Sequence, residues 1–359
     1  MLLHPHAQRG ATAVLCFSPH QGGMELDACH TAERLNQHLT TTWLVVRAGT
    51  FLETYAKARQ VPVIALDFKY HFSLRAIAQM RRLWQRLGIC NLIFFGASEL
   101  RSIHFSLDQQ TPVQRLIVRH STTKSSSKRD LWHRWLYSKV TAHWCISQHL
   151  ANNVRQIFPI PAKIPVFIAP SALAAQLSKI PTALPLQDAR VFKVLFIGRL
   201  IEGKGIFDAL AAAGLLKAHG VPIELTYIGT GPDEAALQQQ IAISGVKVHL
   251  LGYQQEAHLA FAQHHAFVFP SYGEGFGNSF VEALSSGMPC VCYQNTVFPE
   301  LATYGLHFRM AADRNIEQLA QNLAYFWHIR PAINQKNQRL SRELFSLQQE
   351  LDALKQHLA

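Results

Sequence analysis

The chain has 359 residues, 48% of them hydrophobic and 16% charged, with a formal net charge of +11. That is an ordinary soluble mixture, long enough for two domains with separate cores, and it holds no apolar run approaching the roughly 18 residues that span a bilayer. The charge is lopsided, with 20 Lys and Arg against 8 Asp and Glu in residues 1–168 and 14 against 15 in the remainder, which points to an anionic partner: nucleic acid, an anionic membrane face or a phosphorylated substrate.

The start, MLLHPHAQRG, is too short and too broken by Pro5 and charge for a signal segment, so a cytoplasmic protein is expected. Cys16, Cys29, Cys90, Cys145, Cys290 and Cys292 show no C-x-x-C spacing and read as reduced core residues. The histidines show no H-E-x-x-H pattern and no D-x-D occurs, so neither a metal site nor a cofactor is expected.

Residues 13–17 read as a buried strand, followed by a turn with Gly22 and Gly23 and a helix whose inner face takes Met24, Leu26, Cys29 and Leu35. Paired glycines ahead of a helix are, alone, more often a turn than a site. Residues 43–46, 61–66 and 91–95 are further strands separated by helix-like segments, which implies a parallel sheet covered on both faces. Residues 73–87 form an amphipathic basic helix, with Leu74, Ile77, Met80, Leu83 and Trp84 on one side and Arg75, Arg81, Arg82 and Arg86 elsewhere. A solvated charged face and a membrane-contacting one are both open for it. The strand 115–119 leads into His120 and the polar, basic stretch 121–129, expected to be a mobile loop at the carboxyl edge of the sheet, where open α/β sheets bind ligands. An aromatic, basic helix at 131–139, a strand at 142–147 and a helix ending near Phe158 follow. Pro159, Pro161, Pro165 and Pro170 then crowd one short segment and set the expected hinge at 166–173. The domains are then 1–168 and 174–340, with a last helix at 341–358.

The second half opens with a strand at 191–197, the turn Gly198-Arg199 to Lys204-Gly205, and a helix from about Ile206. Arg199 and Lys204 can both reach one diphosphate beside a positive helix end, although alone they would read as solvated surface charge. Strand 225–228 runs into the turn Gly229-Thr230-Gly231-Pro232, and strand 246–251 into Gly252-Tyr253-Gln254. In residues 269–291, Pro270 ends a strand, and Gly273, Gly275 and Gly277 allow positive φ and close ligand approach around Glu274. Ser279 then reads as the N-cap of a helix with the apolar stripe Phe280, Ala283 and Leu284, ending at Gly287 and Pro289. Residues 279–282 also fit a capping box in which Glu282 merely returns a hydrogen bond to the Ser279 backbone. Capping leaves Glu274, a carboxylate between glycines beside Tyr272 and Phe276, without an account.

Glu274 and Glu282, with EGFG after the first and EAL and GMPCV after the second, resemble the E-x7-E signature of the retaining family 4 glycosyltransferases, which have the GT-B fold. The GR and KG of 198–205, the GGME of 22–25 and the HSTTKS of 120–125 extend the resemblance over most of the chain, most strongly over 190–300. It implies an α/β protein of two Rossmann-like domains facing across a cleft, the acceptor on the first, the nucleotide sugar on the second, and the last helix crossing back onto the first. The implied reaction is retaining transfer of a hexose, from a UDP-sugar by preference and GDP-mannose second, to an anionic glycan or lipid-linked acceptor in lipopolysaccharide core or other surface-polysaccharide synthesis. The implied catalytic set is Arg199 and Lys204 on the diphosphate, Glu274 on the sugar hydroxyls, and His120 facing the donor sugar near its leaving phosphate, as in the mannosyltransferases that act on phosphatidylinositol. The implied donor-binding set is Gly22 and Gly23 opposite the phosphates, Gly198, Gly229 and Gly231, Tyr253 in the base loop, Phe276, Gly277, Asn278 and Ser279, and Glu282 on the ribose. The family's usual Asn-Gly at the hinge is absent, replaced by Ala169-Pro170-Ser171. Peripheral contact with the anionic inner face of the cytoplasmic membrane is expected. Nucleic acid is not, because zinc spacings and RRM-type aromatic motifs are missing. A nucleotide-sugar epimerase or a phosphorylase of the same architecture would fit the same motifs.

Overall fold

Alternation of short apolar runs with amphipathic segments builds two parallel sheets, one in each of the units into which the chain divides, residues 1–171 with 348–359 and residues 172–347. The computed structural model describes residues 10–68, 72–96, 98–170 and 177–358.

The first unit carries strands β1 (Ala11–Cys16), β2 (Thr42–Arg47), β3 (Val63–Leu66), β4 (Ile89–Phe95), β5 (Arg115–His120), β6 (Ala142–Cys145) and β7 (Val166–Ile168). Its helices are α1 (Gly23–His38), α2 (Phe51–Ala58), α3 (Leu74–Leu87), α4 (Leu100–Ser106), α5 (Leu131–Leu136) and α6 (Gln148–Ile157). The sheet order is β3-β2-β1-β4-β5-β6-β7, parallel throughout. Strands covered on both faces carry continuous apolar runs, and residues 13–17 and 92–95 are buried without interruption.

Helix phase differs from the pattern reading in two places. In α1 the buried residues are Glu25, Ala28, Cys29, Thr31, Ala32 and Leu35, and Met24 and Leu26 stay partly exposed. In α3, Ser73 caps the start by accepting from the Ala76 amide at 3.2 Å, and left-handed Gly88 ends it. Ala76, Ile77, Met80, Leu83 and Trp84 are buried, but Leu74, at the first helical position, is 74% exposed. The stretch 121–129, expected to be mobile, is pinned to α6: Asn153 accepts from the Lys124 amide (2.9 Å) and donates to its carbonyl (3.0 Å), and the Lys128 amide donates to the Ile157 carbonyl (3.0 Å).

The second unit carries β8 (Phe192–Ile197), α7 (Ile206–Ala218), β9 (Ile223–Ile228), α8 (Glu234–Ser244), β10 (Lys247–Leu250), β11 (Ala266–Phe269), α9 (Asn278–Ser285), β12 (Cys290–Tyr293), α10 (Phe298–Thr303), β13 (Arg309–Ala311), α11 (Ile316–Ile329) and α12 (Gln335–Leu344). The strand order β10-β9-β8-β11-β12-β13 is again parallel.

Two boundary expectations are corrected. Residues 166–168, taken for hinge, are the edge strand β7, since Val166, Phe167 and Ile168 pair with His143, Trp144 and Cys145; residues 171–173 of the hinge lie outside the described residues. The single helix expected over 341–358 is two. α12 stays in the second unit, Phe345 is buried there edge-on to Phe276, and α13 (Leu347–Leu358) packs on the first unit. There Leu351, Leu354 and Leu358 are buried, His357 stacks on Phe167 at 3.9 Å, and buried Glu350 accepts from Arg34 at 2.8 Å.

Candidate active site

In an open parallel sheet, the loops after two neighbouring strands diverge where the strand order reverses, leaving a crevice at their carboxyl ends. In the second unit that point lies between β8 and β11. The loops leaving them, 198–205 and 270–277, carry Arg199, Lys204 and Glu274.

Glycines let these loops pack on one another. Gly205 has φ +71°, and a Cβ there would overlap the Pro270 carbonyl, so loops 198–205 and 270–277 touch backbone to backbone. Gly229 and Gly231 do the same for the loop after β9, against the carbonyls of Gly198 and Leu200. Of the glycines expected at the donor, Gly229 and Gly231 also serve this loop packing, and a Cβ on Gly198 would meet the Phe196 and Phe269 rings. Of Gly273, Gly275 and Gly277, expected at positive φ, only Gly277 has it, at +79°.

Lys204 Nζ donates to Glu274 Oε1 at 2.5 Å, with the lysine side chain 29% and the glutamate 10% exposed. The Glu274 amide donates to Thr296 Oγ1 at 3.1 Å, and the Tyr272 amide to the Gly203 carbonyl at 3.0 Å. Tyr272 and Tyr293 hydroxyls donate to the two oxygens of buried Asp208 at 3.2 and 2.6 Å, and the Arg314 guanidinium lies 4.4 Å above the Tyr272 ring. Burial first, and the Asp208 carboxylate after it, raise both tyrosine pKa values, which keeps the hydroxyls as donors. The Glu274 loop is thus fixed from α7, β12 and residue 296. Arg199 is exposed and makes no side-chain hydrogen bond or ion pair among the described residues.

The two loops feed the amino ends of α7 and α9, whose first amides have no intrahelical acceptor and favour anions. The cap of α9 is left-handed Gly277, not Ser279, and Ser279 Oγ donates to the Ile197 carbonyl at 3.0 Å. Ser279 therefore ties α9 to β8, and the capping-box account of Glu282 does not hold. Glu282 keeps part of its surface open but is densely surrounded, and burial pushes its carboxyl up to about 7. Phe276 is 3% exposed and packs edge-on to Phe345, so its side chain belongs to the core rather than to a ligand wall. Asn278 is exposed, as is Tyr253 (66%) on the loop after β10.

In the first unit the order reverses between β1 and β4. Gly22 is the extended N-cap of α1 after β1, and Gly23 has open space where a Cβ would lie. His120, the last residue of β5, is 5% exposed, and its Nε2 lies 2.9 Å from His143 Nδ1 on β6. The rings of His120 and His143 stack with centroids 5.2 Å apart, and Phe158 covers His120 at 5.0 Å. Burial first, then His143, Lys124 and Arg119, hold His120 well below the usual imidazole range, so it is neutral.

Four partners escaped the sequence reading: His143, Asp208, Tyr293 and Thr296. His143 carried one usable signal, a histidine inside the apolar strand beside the one that ends in His120. Asp208 and Thr296 sit in ordinary helix and turn contexts that give none. Among the described residues, no group of three or more His, Cys, Asp and Glu is placed to hold a metal ion.

Residues 191–328 match the family described as Glycosyl transferases group 1. The amylovoran biosynthesis glycosyltransferase AmsK of Erwinia amylovora is 31% identical over 149 residues, 38% of this chain and 37% of AmsK, so the alignment spans about a third of that relative. Among solved structures, Anabaena HepE in complex with UDP superposes with a TM-score of 0.79 at 17% identity, over 97% of this chain and 99% of that one. The apo lipopolysaccharide outer core galactosyltransferase WaaB does so with a TM-score of 0.73 at 14% identity, over 97% and 99%. The chain therefore has the GT-B fold, and the segment that matches the group 1 glycosyl transferases holds the second sheet, the loops that carry Arg199, Lys204 and Glu274, and the helix α9 that carries Glu282.

Proposed function

We propose that the chain is a retaining glycosyltransferase that moves a hexose from a nucleotide sugar, a UDP-sugar by preference and a GDP-sugar second, to an anionic glycan or lipid-linked acceptor in bacterial surface-polysaccharide synthesis. The observation that carries this reading is the pairing of Lys204 with Glu274, beside an exposed Arg199 that has no side-chain partner among the described residues, at the strand-order reversal of the second sheet. A cation and a carboxylate neutralise one another there until a ligand offers a diphosphate to the first and hydroxyls to the second. The UDP in HepE and the name of AmsK support the donor and the polysaccharide setting.

The anomeric C–O bond breaks with its electron pair leaving on the diphosphate, the acceptor hydroxyl oxygen bonds to the same carbon, and the hydroxyl proton leaves with the diphosphate. Arg199, Lys204 and the amino ends of α7 and α9 stabilise the charge growing on the leaving group. Glu274 accepts from sugar hydroxyls and Glu282 from the ribose, and neutral His120 faces the sugar near its leaving phosphate. The basic residues of the first unit, with exposed Arg82 and Arg86 on α3, hold the acceptor's anionic carrier and contact an anionic membrane face. No helix among the described residues is long and apolar enough to cross a membrane.

Calorimetry with UDP, GDP and ADP, each with and without chelator, tests the reading. Binding of UDP is expected to be the tightest and to survive chelation, because Arg199 and Lys204 supply the cations; loss of all binding on chelation would reject the phosphate roles. Product analysis separates transfer from epimerisation or phosphorolysis, which yield no glycosylated acceptor from an intact donor. His143→Phe keeps the ring but removes the nitrogen that fixes His120. A fall in kcat of up to about tenfold is expected, with UDP affinity unchanged; unchanged kcat would reduce the histidine pair to core packing.

A further inference from the structure

The first unit exposes a continuous apolar ladder made by three helices. Phe72, just ahead of α3, meets Phe105 of α4 edge-on at 5.6 Å; Phe105 meets Trp135 of α5 at 5.3 Å, and Trp135 stacks on Trp132 at 5.1 Å. These rings are 42, 38, 40 and 45% exposed, and next to its two ends Leu74 and Leu131 are 74 and 81% exposed. Scattered exposed apolar residues need no explanation, but a connected strip that the fold holds in ring-to-ring contact marks an interaction surface.

The surroundings select the occupant. A sugar-stacking platform needs an open aromatic face, whereas Trp135 has His104 at 4.1 Å and Trp132 at 5.1 Å, and the Arg101 guanidinium sits 5.6 Å over Trp132. The indoles therefore offer edges, and two bare leucines offer nothing to a glycan. The rim is cationic. Its acidic groups are already engaged, Asp67 with Arg75, Asp108 with Arg81 and Asp130 with His133, while Arg101 and Arg134 are exposed. Indole edges and aliphatic tips within a collar of arginine match the headgroup boundary of a bilayer carrying negative charge.

We propose that this ladder is the membrane-docking surface, with Leu131, Trp132 and Leu74 entering the acyl boundary of an anionic bilayer and Arg101 and Arg134 lying in its headgroup layer. The inference rests on the membrane half of the proposed function, moves the principal contact from the charged face of α3 to the α4–α5 side, and is independent of the transfer chemistry.

The test uses the full chain with vesicles of phosphatidylcholine, with and without phosphatidylglycerol, and with acyl chains brominated to quench nearby tryptophan. Co-sedimentation is expected to require phosphatidylglycerol and to fall with salt, and brominated chains are expected to quench fluorescence that Trp132→Phe with Trp135→Phe removes. Leu131→Ser with Trp132→Ser is expected to weaken binding about tenfold or more, and Arg101→Glu with Arg134→Glu to abolish its dependence on phosphatidylglycerol, each with an unchanged thermal melt. No sedimentation of the wild type at low salt overturns the membrane half itself. Sedimentation without quenching, unaffected by the Leu131 and Trp132 substitutions, overturns the ladder and leaves the charged contact of α3. Lipid-free self-association that these substitutions abolish assigns the surface to a second copy of the chain and also overturns the proposal.

Discussion

Lys204→Ala and Arg199→Ala are each expected to lower turnover by about 10²-fold or more, since in the proposed reaction each removes a donor aimed at charge that grows on the leaving diphosphate. The two are expected to part company in the empty protein. Arg199 is exposed and makes no side-chain hydrogen bond or ion pair among the described residues, so its removal should leave the melting temperature where it was. Lys204 neutralises a Glu274 side chain that is only 10% exposed; taking the ammonium away strands that carboxylate and should destabilise the second unit by about 1–3 kcal/mol. Adding Glu274→Gln to Lys204→Ala should restore the melt and leave turnover low. Single-turnover kinetics beside thermal melts check both halves. An Arg199→Ala enzyme with near wild-type turnover rejects the phosphate assignment, and a Lys204→Ala protein that melts like the wild type rejects the pair as a contributor to stability.

The strand-helix alternation was legible because a parallel sheet covered on both faces demands continuous apolar runs, and runs such as 92–95 and 194–197 have few other uses. Strand order was not, since it is set by how the crossovers stack. Yet that order is what brings loops 198–205 and 270–277 side by side. Nor was the packing of the glycines legible: a carbonyl of another loop occupies the space that a Cβ on Gly205, Gly229 or Gly231 would need, a contact that no local pattern encodes. Ser279 and Phe276 show the same limit. A serine ahead of an apolar stripe reads as a cap, but its hydroxyl reaches the Ile197 carbonyl, and an aromatic beside a site reads as a ligand wall until Phe345, 69 positions along, covers it. Charge on α3 was legible from spacing, whereas the ladder of Phe72, Phe105, Trp135 and Trp132 exists only once three helices lie together.

Glu282 gives the expectation with opposite signs in stability and binding. Burial holds its carboxyl at about 7 in the folded protein, up from 4.5, so the folded chain keeps a proton that the unfolded chain gives up at lower pH. Stability attached to this group is then fully present below about pH 4.5 and is lost as pH rises through 7. The loss is on the order of 3 kcal/mol by linkage. Glu282→Gln never ionises, so it should melt higher than the wild type at pH 8 and match it at pH 4.5. Nucleotide binding should go the other way. A carboxylate that accepts ribose hydroxyls contributes about 1.5–3 kcal/mol per bond, so the glutamine protein should bind UDP at least tenfold more weakly at pH 8. Wild-type affinity should also improve between pH 6 and 8 relative to the variant, the titration of UDP itself being common to both proteins. Melts and calorimetry at pH 4.5, 6 and 8 decide it. A variant that gains stability but binds UDP like the wild type would make Glu282 a buried carboxyl with no ligand. One that loses affinity without gaining stability would mean that the empty protein already satisfies the charge.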